Sequence, residues 1–133
     1  MAAEITIQSS LGKIGLVRSF IESELKNVSI AEKDQATLVF CLIEAVINAI
    51  NHGNKNNPKK NVIVTFENAG DRIIMKVKDE GAGFNPDGIA DPREPDLLNK
   101  PSGRGIFFMK QMLSKVTCEN TENGTLVILE KKL

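Results

Sequence analysis

An apolar run that contains a carboxylate constrains this chain more than any other feature. Residues 36–50 read ATLVFCLIEAVINAI, and the strongly polar side chains among them are Glu44 and Asn48. On a helix, residues four apart lie one above the other on the same face. Because an unpaired carboxylate in a core costs on the order of 3–5 kcal/mol, the pair predicts a wet pocket that holds a metal ion or a substrate. Asn51 and His52 extend the polar stripe, so this helix is the predicted floor of a small-molecule site.

Length and charge bound the kind of protein this is. The chain has 133 residues, of which 41% are hydrophobic, so we expect a single domain over residues 1–133 with a real core. Its 17 basic and 17 acidic residues cancel, which argues against binding to a nucleic-acid backbone. It has no Trp and no Tyr, so stacking platforms for single-stranded nucleic acid are not expected either.

The chain also shows no pattern typical of export. The N-terminal residues lack the basic and then apolar order of a signal peptide. The apolar run is too short for a membrane span and carries Glu44. Cys41 and Cys118 form neither a metal-ligand pattern nor a disulfide framework, and we interpret them as buried thiols. These observations predict a cytoplasmic protein that does not contact a membrane.

Hydrophobic periodicity predicts the order of elements as β-α-α-β-β-lid-α-β-β. Strands are expected around residues 5–7, 62–66, 73–78, 116–120 and 125–130, and helices over 14–25, from Ser29 onward and over 106–115. Ser29 with Glu32 predicts a capping box at the start of the central helix, and Gly53 predicts its left-handed end. Strands and helices are segregated, so we predict an α/β two-layer sandwich with helices on one face of a mixed, mostly antiparallel sheet. Residues 85–102 are rich in Pro, Asp and Gly, and they predict a lid.

Three separate motifs are candidates for chemistry: Glu44 with Asn48, the pattern Asp79-x-Gly81-x-Gly83, and the pattern Gly103-x-Gly105. Taken singly, they could be a satisfied polar pair, a tight turn and a hinge. Together in one small domain, beside a predicted lid, they indicate one binding site.

The glycine motifs differ from the common phosphate loops. No Lys-Ser/Thr pair follows either of them, so neither is a Walker loop. Residues 85–86, Asn-Pro, follow Gly83 where a dinucleotide fingerprint would begin a helix. Gly103-Arg104-Gly105 does precede a predicted helix, whose first N–H groups can hold a phosphate. Asp79 at a strand end can accept a hydrogen bond from an exocyclic amine, which would select adenine.

With these motifs in this order, the chain resembles the GHKL ATP-binding domains of gyrase, histidine kinases and heat-shock chaperones. Residues 44–49 match the N-box, residues 79–84 the G1 box and residues 102–106 the G2 box. Thr125, after Asn123-Gly124, matches the family's Gly-Thr on a late strand. Within that superfamily the Asn51-His52-Gly53 ending and the lid exit resemble the anti-sigma-factor serine kinases.

The resemblance implies a role for each matching residue. Asn48 would bind Mg²⁺, and Glu44 would be the general base that takes the proton of a protein serine as it attacks the γ-phosphate of ATP. Asp79 would bind the adenine amino group, with Thr125 nearby. The remaining nucleotide-binding positions would be Gly81, Gly83, Gly103, Arg104 and Gly105. Arg104 could equally face solvent, and no lysine other than the weak candidate Lys100 is placed to reach the γ-phosphate.

The resemblance also implies partners. The leading hypothesis is an ATP-dependent serine kinase that binds a sigma factor and phosphorylates an anti-sigma-factor antagonist, as a homodimer through the first strand and helix. The alternative is a nucleotide-regulated anti-sigma binding module without phosphoryl transfer. A histidine-kinase fragment is a third, disfavoured interpretation, because no helical hairpin with a phosphoacceptor precedes the domain.

Two further residues have two interpretations each. Arg18 could contact a protein partner or simply be solvated, and His52 could support the metal site or simply lie at the end of its helix.

Overall fold

A five-stranded sheet with three helices on one face makes up the fold. The structure is a computed structural model that describes residues 2–81, 101–121 and 123–133. The strands are β1 (Ala2–Gln8), β2 (Asn61–Asn68), β3 (Arg72–Lys78), β4 (Lys115–Thr121) and β5 (Gly124–Lys132). The helices are α1 (Ile14–Leu25), α2 (Glu32–Asn48) and α3 (Pro101–Met112). A 3₁₀ turn (Leu11–Lys13) precedes α1, and a π turn (Ala49–Gly53) follows α2.

The sheet has the strand order β1-β2-β3-β5-β4. All four pairings between the described strands are antiparallel, so the predicted two-layer, mostly antiparallel architecture is confirmed. β2 and β3 alternate, because successive side chains of a strand point to opposite faces. Their buried side chains all lie on the helix-covered face: Val62, Val64, Phe66, Ile73, Met75 and Val77.

Helix α2 is the centre of the core, packed between α1 and α3 and against the sheet. Leu38, Leu42, Val46 and Ile50 are fully buried and recur at helical spacing. The stretch Glu32–Gly53 is long and apolar enough to cross a membrane by length and composition, with a mean hydropathy of 1.4. Its apolar side chains instead form the core of this domain, in keeping with the sequence interpretation.

The ends of several elements differ from the sequence predictions. The predicted capping box is wrong, because α2 begins at Glu32 after Ala31, and no side chain caps it. The predicted left-handed end at Gly53 is also wrong, because the positive φ angles fall later, at Lys55 and Asn56. The chain instead leaves α2 through the π turn, which adds one more turn of helix before the loop.

The third helix begins earlier than the sequence predicted. α3 begins at Pro101, so Gly103, Arg104 and Gly105 lie in its first turns, where the sequence predicted a loop before the helix. Most of the predicted lid at residues 85–102, and with it Lys100, lies outside the described residues.

Candidate functional site

The exposed side of α2 carries the two polar residues singled out from the sequence. Glu44 and Asn48 are both partly buried, one turn apart, near the carboxyl end of the helix. The Nδ2 atom of Asn48 is buried and has no hydrogen-bond partner among the residues that the structure describes. Since buried amide groups are nearly always paired, this atom identifies a place where a ligand would supply the missing acceptor.

Asp79 follows β3 and is buried, with 5% of its surface exposed. Its Oδ1 accepts hydrogen bonds from the backbone N–H of Gly81 at 2.9 Å and of Thr125 at 3.1 Å. The backbone N–H of Asp79 in turn donates to the carbonyl of Thr125 at 3.0 Å. The carboxylate therefore ties the end of β3 to the start of β5, and these bonds leave Oδ2 as the oxygen available to a ligand.

Burial raises the pKa of the Asp79 carboxyl above its usual range, because desolvation disfavours the charged form. The two backbone hydrogen bonds to its oxygen lower the pKa and offset part of that effect. The charges of Lys60 and Lys78 offset a further part. Asp79 is thus a hydrogen-bond acceptor placed in a low-dielectric position, where one bond to a ligand has more weight than in water.

Three glycines surround this carboxylate, each from a different segment. A Cβ atom on Gly53 would lie 2.1 Å from Asp79 Oδ2, and one on Gly81 would lie 1.8 Å from the carbonyl oxygen of Gly53. A Cβ on Gly124 would lie 1.9 Å from the Asp79 carbonyl oxygen, and Gly124 also has a φ of +148°. At Gly81 and Gly124 the clash would be with backbone, so these positions require glycine. At Gly53 it would be with the Asp79 side chain, so a larger residue there would displace the carboxylate.

Thr125 completes the group of contacting residues that we call the Asp79 corner: Gly53, Asp79, Gly81, Gly124 and Thr125. It is 1% exposed, its backbone pairs with Asp79, and its Oγ1 is buried without a hydrogen-bond partner. Asn48 and Thr125 thus leave two unsatisfied polar atoms, one on the helix and one beside the carboxylate. Because buried polar atoms are nearly always paired, each of the two is a position where a polar ligand would supply the partner.

Gly53, Asn48 and Glu44 follow one another along the end of α2 and the π turn. Gly53 lies against Asp79, while Asn48 and Glu44 lie progressively farther back along the same helix. At about 1.5 Å per residue, Glu44 is roughly 13 Å from Gly53. A purine at Asp79, phosphates near Asn48 and an acceptor hydroxyl at Glu44 would follow the same order as the parts of a nucleoside triphosphate and its acceptor.

The structure does not place every predicted site residue. Gly83 lies outside the described residues. Gly103, Arg104 and Gly105 are assigned to α3, which packs against α2. His52 is exposed, and Arg18 is exposed with its guanidinium 3.9 Å from Glu22. Neither of the last two side chains joins the Asp79 corner.

A metal ion would have few protein ligands here. Within the described ranges, no group of three or more His, Cys, Asp or Glu side chains could hold a metal. The oxygen of the Asn48 amide is of the kind that Mg²⁺ accepts, because Mg²⁺ keeps several waters and takes one or two protein oxygens. The unpartnered Nδ2 is a donor and would face an acceptor such as a phosphate oxygen. The cysteines are not candidates for nucleophiles. Both are free, and burial raises the pKa of Cys41 to about 11.

Sequence reasoning missed two residues of the site. It interpreted Gly53 as a helix stop, whereas the structure shows that it is required by contact with Asp79. It placed Asn54 in a polar loop, whereas Asn54 is 1% exposed and hydrogen-bonded to three strand ends. A buried asparagine directly after a helix-terminal glycine leaves no periodic signal in the sequence.

Comparison with known proteins gives a consistent result. Residues 7–131 match the family described as a histidine kinase-like ATPase domain. The anti-sigma F factor of Geobacillus kaustophilus is 37% identical over 95 residues, which cover 68% of this chain and 64% of that protein. The anti-sigma F factor of Clostridium perfringens strain SM101 is 34% identical, with 68% and 66% covered. The chain therefore spans about two thirds or less of the length of these relatives.

Two solved structures share the fold. A structure of the RsbU and RsbW domains of a Mycobacterium tuberculosis protein has a TM-score of 0.74 at 21% identity, covering all of this chain and 32% of that one. The histidine kinase domain of a blue-light-activated kinase from Erythrobacter litoralis has a TM-score of 0.61 at 17% identity, covering 92% and 60%. At these identities the likeness concerns the fold.

The raised pKa of Asp79 predicts a pH-dependent stability in the nucleotide-free protein. Since the folded-state pKa is higher than the unfolded value of 3.8, the contribution of Asp79 is present in full below pH 3.8. It is lost as pH rises through the folded-state pKa. Asp79→Asn has no such titration, so its stability relative to wild type should rise with pH from about 4 to neutral. Urea unfolding of both proteins across this pH range measures the difference in their free energies of unfolding.

Asp71→Asn is the matched control, because Asp71 is exposed on the β2–β3 turn and the same charge is removed. Its difference from wild type should not follow the trend of Asp79→Asn. A constant deficit of Asp79→Asn at every pH would contradict the assignment of a desolvated carboxylate.

Proposed function

Because the chain belongs to the histidine kinase-like ATPase domain family, we propose that it is a Mg-dependent ATP-binding protein serine kinase that also acts as an anti-sigma factor. The observation that carries this proposal is the corner at Asp79. The buried Asp79 carboxylate is bonded to the Gly81 and Thr125 backbones and lies against Gly53, and Thr125 Oγ1 beside it has no partner among the described residues. This arrangement supports a purine site with phosphates directed along α2.

In this proposal Asp79 Oδ2 accepts a hydrogen bond from the adenine amino group, and Thr125 Oγ1 gains a partner on the same side of the base. Gly81 lets the backbone approach the nucleotide. Gly83 would extend that approach, and the start of α3 with Gly103, Arg104 and Gly105 would hold the phosphates at a helix N-terminus. Mg²⁺ would be bound by Asn48 and would neutralise charge on the phosphates during transfer.

Glu44 is the proposed general base. It lies one turn before Asn48 on the same face and is partly exposed, which supports a role beyond the proposed phosphate position, where an acceptor hydroxyl would enter. It would take the proton of a serine hydroxyl as the hydroxyl oxygen attacks the γ-phosphorus and the bond to the β-phosphate oxygen breaks.

The proposed partners are a sigma factor and an anti-sigma-factor antagonist whose serine is phosphorylated. The anti-sigma F factor relatives support the first, and the position of Glu44 supports the second. The setting we propose is the cytoplasm. The alternative function, a nucleotide-regulated anti-sigma module without transfer, shares every feature of the Asp79 corner and differs only in having no use for Glu44.

The nucleotide site predicts Mg-dependent binding. Calorimetric titration of ATP should show binding with Mg²⁺, and chelator should weaken it. Asn48→Ala should lower the affinity for Mg-ATP by at least roughly tenfold, because it removes the proposed metal ligand. Asn27→Ala, at an exposed position in the turn after α1, is the control and should retain affinity. Absence of any ATP binding by the wild type, with or without Mg²⁺, would contradict the proposed function.

The base assignment predicts a loss of transfer without a loss of binding. With a purified candidate antagonist as acceptor, Glu44→Gln should slow phosphoserine formation by about 10²–10⁴-fold. Its affinity for Mg-ATP should stay within a few-fold of wild type. Glu32→Gln, at the exposed start of the same helix, is the control. Transfer by Glu44→Gln at the wild-type rate would overturn the assignment. A wild type that binds ATP but transfers none would favour the binding module.

The homodimer is proposed on the β1 edge of the sheet, whose other edge is β4. β1 pairs with β2 on one side only within the described part of the chain, and an unpaired strand edge is a template for a second chain. Leu11 and Leu16, directly after β1, are each 53% exposed. Leu16→Arg should convert a dimer into a monomer in sedimentation equilibrium, whereas Phe40→Arg, equally apolar and exposed on α2, should not. A monomeric wild type at tens of micromolar would contradict this proposal.

A further inference from the structure

The side chain of Asn54 is buried and joins the ends of three strands. Its Nδ2 donates to the hydroxyl oxygen of Ser9, which follows β1, and to the carbonyl of Asn61 at the start of β2, at 2.9 Å. Its Oδ1 accepts from the backbone N–H of Glu80, just after β3, at 2.7 Å. These three bonds use both N–H groups and the oxygen of the amide.

An amide is suited to this position for a chemical reason. The Asn61 carbonyl requires a donor and the N–H of Glu80 requires an acceptor, and an amide offers both in one planar group. An aspartate would present oxygen to the Asn61 carbonyl. The backbone N–H of Asn54 also bonds the carbonyl of Ala49 at 2.8 Å, so the residue is fixed to the π turn as well.

The bond to Glu80 acts on the turn that carries the nucleotide acceptor. Glu80 lies between Asp79, whose carboxylate faces the site, and Gly81, whose N–H fixes that carboxylate. Gly53, the residue before Asn54, packs against both of these neighbours. The Asn54 amide therefore holds the peptide group that joins Asp79 to Glu80, while Gly53 packs against the residues on either side of Glu80.

The same network reaches the edge of the sheet. Ser9 is 2% exposed, and its backbone N–H donates to the carbonyl of Lys60 at 3.0 Å. The side chain of Glu80 in turn accepts from the backbone N–H of Asn61. The end of edge strand β1 and the turn after β3 are thus connected through one amide, although β1 and β3 are not neighbours in the sheet.

We propose that Asn54 is a positioning residue for the nucleotide site. It holds the Asp79–Gly81 turn in register with the end of β1 through Ser9, and it thereby sets how well the site distinguishes adenine. The adenine part of this inference rests on the function proposed above. The positioning of the turn is independent of the proposed function, since it can be measured without any nucleotide.

The experiment compares Asn54→Ala with Asn57→Ala. Both asparagines lie in the loop after the π turn, and Asn57 caps only its own turn through the N–H of Lys59. Asn54 has φ −88° and ψ −4°, which alanine adopts without strain. Two readouts are used: amide hydrogen exchange at Glu80 in the nucleotide-free protein, and the ratio of affinities for ADP and IDP with Mg²⁺. IDP carries a carbonyl oxygen in place of the adenine amine.

Asn54→Ala should speed exchange at Glu80 by roughly tenfold and should lower the preference for ADP over IDP by roughly threefold to tenfold, the effect of one hydrogen bond. Asn57→Ala should change neither. A variant that is only less stable lowers the folded fraction for both nucleotides alike and leaves their ratio unchanged. A folded Asn54→Ala with the wild-type ratio and wild-type Glu80 exchange overturns the proposal.

Ser9→Ala keeps the inference testable if Asn54→Ala does not fold, because it removes only the link to β1. A fall in the ADP preference in the same direction, but smaller, supports the connection from β1 to the turn, and an unchanged ratio overturns that connection. If the wild type binds neither ADP nor IDP, the proposed function fails. Exchange at Glu80 then decides the positioning role alone: faster exchange in Asn54→Ala supports it, and unchanged exchange overturns it.

Discussion

One carboxylate oxygen holds the candidate site together. Oδ1 of Asp79 accepts two backbone N–H groups, one from its own turn and one from the start of β5. These bonds orient the buried carboxyl group so that its other oxygen lies against Gly53 at the end of the helix. The sheet and the helix layer meet at this contact, where Gly81 and Gly124 allow backbones to approach and Gly53 leaves room for the carboxylate. Any side chain there would push the two layers apart or turn the carboxylate away.

Helix α2 has to satisfy two demands at once. Its inner face fills the centre of the core with Leu38, Leu42 and Val46, which are fully buried. Its outer face presents Glu44 and Asn48. Because the inner face is fixed by packing, the outer face is fixed as well, and side chains on a rigid element are held more precisely than side chains on a loop. The arrangement explains why so apolar a helix carries an acid and an amide near its end.

The sequence allowed prediction of features that depend on local pattern. Alternation predicted the strands that became β2 and β3, and helical spacing put Glu44 and Asn48 on one face. The sequence did not allow prediction of features that depend on contact between segments far apart in the chain. Gly53 has no local conformational need for glycine, since its φ is not positive, and only the position of Asp79 explains it. Asn54 looks like one more polar loop residue until the ends of three strands close around it.

Two buried polar atoms without partners lower the free energy of unfolding of the nucleotide-free protein. Asn48 Nδ2 and Thr125 Oγ1 are buried without partners, and each such group costs about 1–3 kcal/mol. A bound nucleotide would remove much of that penalty, and binding at a thousandfold excess over Kd stabilises a fold by about 4 kcal/mol. Proteases act on the unfolded fraction. With the proposed ligand bound, the fraction of the protein that is unfolded and open to proteolysis would be smaller.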